Sequence, residues 1–152
     1  MKRILLVLTL AVIALTAYFL WSSDESRIRK LFKDAAKAAE ARNVDGIMSK
    51  ISYAYRDDYG MSYLMLREQL KAQFTSLSDI HVEYEEMKIN VVKDRATTEL
   101  KLRVVATLGN ETGYILGDIK TPLTLKIVLE KERTKWLIAR IERGSGNAPP
   151  GL

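Results

Sequence analysis

The stretch from Ile80 to Ala106, IHVEYEEMKINVVKDRATTELKLRVVA, decides the fold. Apolar residues stand at every second position, first Ile80, Val82 and Tyr84, then Met87, Ile89 and Val91 on the other parity. A period of two sends successive side chains to opposite faces of a strand. The slip at Glu85-Glu86 predicts a β-bulge, which bends a long strand. Lys93-Asp94 makes a turn. Beyond it Ala96, Thr98, Leu100, Leu102, Val104 and Ala106 share one face, opposite Thr97, Glu99, Lys101, Arg103 and Thr107.

Downstream, Gly109, Asn110, Gly113 and Gly117 mark an extended turn or small hairpin around Tyr114, Ile115 and Leu116. Leu123, Leu125, Ile127 and Leu129 form another long strand with Lys126 and Glu130 outward, and Trp136, Ile138 and Ile141 a final one. Upstream of Ser78 the period is about 3.6. Ser62 caps a helix in which Tyr63, Leu66, Leu70, Phe74 and Leu77 recur at three- and four-residue spacing. Asn43 starts a short helix through Val44, Ile47, Met48 and Ile51. Asp24 to Arg42 reads as a longer one, capped by Ser22 or Ser23, with Ile28, Leu31, Phe32, Ala35 and Ala39 inward. The expectation is an α+β domain over residues 23–143: three N-terminal helices on a strongly curved, mostly antiparallel sheet of four to six strands, shaped like a cone. Residues 144–152 lack any period and read as a frayed tail.

The chain of 152 residues is 47% apolar and 28% charged, with no cysteine and a net charge of +5. Without cysteine there is no disulfide framework, thiol nucleophile or zinc–thiolate site, and the lone His81 builds no multi-histidine metal centre. Ile4 to Trp21 is 18 residues without a charge. As a helix it covers about 27 Å, close to the hydrocarbon thickness of a bilayer. Lys2 and Arg3 in front supply the positive flank that stays cytoplasmic. Residues 1–22 therefore read as a transmembrane signal anchor or a signal peptide. The exits Ala14-Leu15-Thr16 and Leu15-Thr16-Ala17 are poor cleavage sites, which favours a retained, single-pass inner-membrane anchor with an extracytoplasmic (periplasmic) domain. Cleavage would make the domain secreted. Without Lys2 and Arg3, 22 basic residues face 19 acidic ones, a charge of +3 with no basic block, so nucleic acid is not an expected partner.

Three segments resemble the nuclear transport factor 2-like superfamily, which includes ketosteroid isomerases and polyketide cyclases: Ala39-Glu40-Ala41-Arg42-Asn43-Val44-Asp45-Gly46-Ile47, Tyr55-Arg56-Asp57-Asp58-Tyr59-Gly60 and Trp136-Leu137-Ile138. The resemblance runs from about Asp24 to Arg143 and implies the cone fold, which serves enzymes, binding modules and assembly domains alike. In the isomerases an Asp near a Gly before the third helix is the general base. The resemblance makes Asp57 or Asp58 the candidate, a carboxylate whose pKa an apolar cavity would raise. The isomerases' oxyanion partners have no matched position here. Capping or turning into the third helix is the alternative role for both aspartates.

Tyr53, Tyr55, Tyr59 and Tyr63, with Trp136, are candidates to line a pocket for an apolar small ligand. Glu83, Glu85 and Glu86 sit on alternate faces and do not converge on a metal, and no cofactor is expected. Two classes of function follow. One is a membrane-tethered binding or assembly domain whose outer sheet face, with Glu99, Lys101, Arg103 and Lys126, meets an envelope protein or a second copy. The inner-membrane subunits of type IV secretion systems are similar in layout. The other is a small-molecule pocket or proton-transfer enzyme using Asp57 or Asp58.

Overall fold

The computed structural model describes the backbone of residues 2–143, and side chains over 9–13, 16 and 24–142. The elements are α1 (Lys2–Glu40), α2 (Val44–Met48), α3 (Tyr63–Ser76), β1 (Leu77–Val92), β2 (Arg95–Leu108), β3 (Glu111–Leu116), β4 (Leu123–Glu132) and β5 (Lys135–Arg143). Neither Ser22 nor Ser23 caps a helix, because α1 runs unbroken from Lys2. The backbone N–H groups of the 24–42 segment already have carbonyl partners one turn upstream, so no cap is needed. Among the described residues no helix is long and apolar enough to cross a membrane, and most of the Ile4–Trp21 side chains lie outside them. Of those described, Leu10, Val12 and Ile13 are exposed. The 144–152 tail also lies outside the described residues.

All strands pair antiparallel in one five-stranded sheet. β2 is its spine. It pairs with β1 along its length, with β4 over Arg95–Leu102 and with β3 over Val104–Leu108. The bulge expected at Glu85-Glu86 is present: the register slips between Glu85 and Lys88, with Glu86 at a φ of 53°. A second slip, with Asp79 at 47°, lies near the start of β1. Bulges increase local twist, which curls the sheet.

Helix α1 ends with Arg42 in the left-handed region and Asn43 N–H donating to the Ala38 carbonyl at 2.8 Å, a Schellman-type ending. Asn43 then caps α2, its Oδ1 accepting from Gly46 N–H at 2.9 Å. Ser62 caps α3 as expected. One face of the sheet is covered by the helices and the segment after α2. Ile28, Leu31 and Phe32 of α1, Met48 of α2, and Ile51 and Tyr55 pack with Ala96, Leu100, Ile127, Leu129, Trp136 and Ile138, all buried. Phe74 of α3 lies on a second cluster of Leu77, Ile80, Val104 and Ala106.

Candidate functional site

The aspartates before α3 have different surroundings. Asp57 is half-buried and its carboxylate is committed to local structure: Oδ1 accepts from Tyr59 N–H at 2.9 Å and Met61 N–H at 2.8 Å, and Oδ2 accepts from the Tyr55 hydroxyl at 3.2 Å. Its side chain closes the turn at Gly60, a role Asp commonly takes. Asp58 is exposed. Neither caps α3, since Ser62 does.

Three of the four tyrosines, Tyr53, Tyr55 and Tyr63, meet at one open cleft, and Tyr59 does not join them. Tyr55 is 2% exposed and belongs to the core, where burial first, and then the Asp57 charge, push its phenol well above the ordinary value. Tyr53 is 81% exposed and its ring lies 4.7 Å from that of Tyr63. These two, with the edge of Tyr55 and with Arg56, Ser62, Leu64 and Arg67, line an open surface cleft, while Tyr59 is exposed and is not part of that lining.

Trp136 is buried, but its polar tip serves the entry of α1 into the domain. Trp136 Nε1 donates to Asp24 Oδ1 at 3.0 Å, and Lys131 Nζ lies 3.0 Å from both carboxylate oxygens. Lys131 also sits 5.5 Å from the centre of the Trp136 ring. Burial alone would raise the Asp24 carboxyl, but the Trp136 and Lys131 hydrogen bonds and the nearby cations outweigh it and hold it below the ordinary range. This clamp fixes α1 to the β4–β5 hairpin just after the apolar run.

The outer sheet face carries the remaining candidates. Lys101 pairs with Glu86 at 2.6 Å. Arg103 acts as a staple: its guanidinium donates to the Asp118 carbonyl at 2.9 Å and to Glu85 at 3.0 Å, tying the loop before β4 to the sheet. Lys126 pairs with Glu142 at 2.9 Å, and that carboxylate raises the lysine's pKa. Glu99 stands beside it in register and is exposed.

Beside Lys126 opens a cleft of about 440 Å³, with Ala54, Thr97, Val128 and Ala139 as small or apolar lining and Arg56, Arg95 and Arg140 as further cations. Sequence reading did not single out these three arginines. Arg140 faces outward because the register slips between Val128 and Leu129, so that Leu129 opposes Ile138 while Val128 opposes Arg140. The uneven spacing of Ile138 and Ile141 was the available signal. Arg56 arrives from a segment laid along β5, where Ile138 N–H donates to the Lys50 carbonyl at 2.8 Å and Arg56 N–H to the Ala139 carbonyl at 3.3 Å. No local pattern announces that pairing.

No family model matches the chain, and no curated protein matches its sequence. Solved structures do resemble it. A nuclear transport factor 2-like protein with a cystatin-like fold from Novosphingobium aromaticivorans is 14% identical, with a TM-score of 0.68 over 88% of this chain and 90% of that one. A candidate scytalone dehydratase from the same organism is 11% identical, with a TM-score of 0.69 over 79% and 82%. A candidate dehydratase of the same fold family from Streptomyces avermitilis is 9% identical, with a TM-score of 0.66 over 80% and 94%. Identities this low speak to architecture only: the chain has the nuclear transport factor 2-like, cystatin-like α+β fold.

Proposed function

We propose that this chain is a membrane-tethered binding domain on the extracytoplasmic side, presenting its outer sheet face to a partner. The observation that carries this reading is that the inner sheet face is covered by side chains of α1, α2 and the 51–55 segment, while the charged cleft lies on the outer face. The uncharged run Ile4–Trp21 and the Asp24 clamp that follows it support the tether. A phosphatase that is active only outside the cytoplasm, fused after residue 152 and expressed in a bacterial host, tests it. Activity that stays with carbonate-washed membranes is the expected result, whereas an inactive fusion or a shortened, soluble product overturns the tether. The chain has no native cysteine, so Val128→Cys should cross-link to a partner or second copy, and Lys33→Cys on the far face should not.

A small-molecule or proton-transfer role is the second reading, favoured by the two structural neighbours named as candidate dehydratases. Asp57, bonded to the Tyr55 hydroxyl, would be its base. Both Asp57 oxygens already accept hydrogen bonds, which weighs against it.

A further inference from the structure

We propose that the outer-face cleft binds carboxylates, and that its occupant is an acidic segment of a partner protein gripped by Arg56 and Arg140. The inference rests on reading the outer face as the binding face. The cleft is lined by four cations, Arg56, Arg95, Lys126 and Arg140, and two carboxylates, Glu130 and Glu142. Both carboxylates are already neutralised, Glu130 by Arg95 at 2.8 Å and Glu142 by Lys126 at 2.9 Å. Arg56 and Arg140 have no ion-pair or side-chain hydrogen-bond partner among the described residues, so the lining holds two uncompensated guanidinium groups. One stands on β5 and the other on the segment laid against it.

A guanidinium presents a planar fork of donors that matches a carboxylate bidentately, and such charge-assisted bonds are stronger than neutral ones. Two forks on adjacent backbones suit two carboxylates of one ligand. The lining excludes other classes. It offers no aromatic ring to stack a base. An apolar ligand would gain little from a cleft with six charged walls. The cleft is open to solvent, so an extended chain can reach it.

The test uses the full chain in detergent micelles and a fluorescent hexaglutamate peptide, followed by anisotropy, with hexaglutamine as the uncharged control. Hexaglutamate should bind and hexaglutamine should not. The double variant Arg56→Gln/Arg140→Gln should weaken binding about tenfold or more. Lys33→Gln/Lys37→Gln, which removes the same charge from the exposed side of α1, should leave it within about twofold. Both Arg56 and Arg140 are exposed and unpaired, so the variant folds, as circular dichroism will show. Absence of hexaglutamate binding, or equal loss in both double variants, overturns the proposal. Competition by free succinate at the same concentration as the peptide overturns the acidic segment in favour of a small dicarboxylate. The titration needs neither the tether nor a cellular partner, so its failure is distinguishable from failure of the phosphatase-fusion or cross-linking experiments.

Discussion

Thr98 is wholly buried on the inner face of β2, opposite Ile127 and Ile89, and its hydroxyl has no partner among the described residues. A buried hydroxyl without a partner costs about 1–3 kcal/mol. Thr98→Val should therefore raise stability by about 1 kcal/mol, seen as a higher denaturation midpoint at unchanged slope. The parity of β2 already placed Thr98 inward, but only tertiary packing made that position dry. Asp57 gives the opposite case. Asp57→Ala removes the acceptor for Tyr59 and Met61 N–H and leaves the buried Tyr55 hydroxyl unpaired, so a loss of about 2 kcal/mol is expected. Asp58→Asn, at an exposed position, should stay within about 0.5 kcal/mol. The sequence marked both aspartates equally. Chain neighbours with identical chemistry cannot be told apart until the turn sends one inward and the other to water.

At the level of elements, the strands and the starts of α2 and α3 were the most legible features, whereas the expected start at Ser22 or Ser23 is absorbed into α1. The bulge at Glu85-Glu86 showed as a phase slip, and the caps Asn43 and Ser62 as polar residues just ahead of apolar periodicity, because each depends on a few adjacent residues. The loop between β3 and β4 was not so legible. Gly117 sits there at a φ of +63°, and a Cβ would meet the Leu102 carbonyl oxygen at 2.7 Å and the Leu123 nitrogen at 2.9 Å. Both neighbours are backbone atoms of paired strands and cannot step aside. Gly117→Ala should destabilise by about 2 kcal/mol or more. Gly60, at +79° with open space around it, should lose only about 1 kcal/mol on the same change, the cost of the left-handed backbone alone. Thermal melts of the two variants side by side separate close contact from backbone strain.

The whole molecule depends on how α1 meets the sheet. The Asp24 carboxyl is held below its ordinary range, so its pairing contributes stability above that range and loses it as pH falls through the depressed value. Asp24→Asn should cost about 2 kcal/mol near neutral pH, and the gap between variant and wild type should close on acidification, as melting temperatures across the pH range will show. This clamp joins residues 107 and 112 positions apart in the chain, and no window of sequence contains it. The same holds for the cleft: Arg56 is brought beside Arg140 by a segment laid along β5, and Arg140 is turned outward by a register slip. By itself the sequence determined the apolar run, the change of period, the bulge and the caps at Asn43 and Ser62, because solvation and local sterics act over a few residues. Tertiary structure alone decided that α1 packs into the buried core on the sheet, that Tyr55 is core while Tyr53 is exposed, and that two arginines stand unpaired in one cleft. Those outcomes are set by strand register and by the path of α1 across the sheet, which bring together groups distant in the chain.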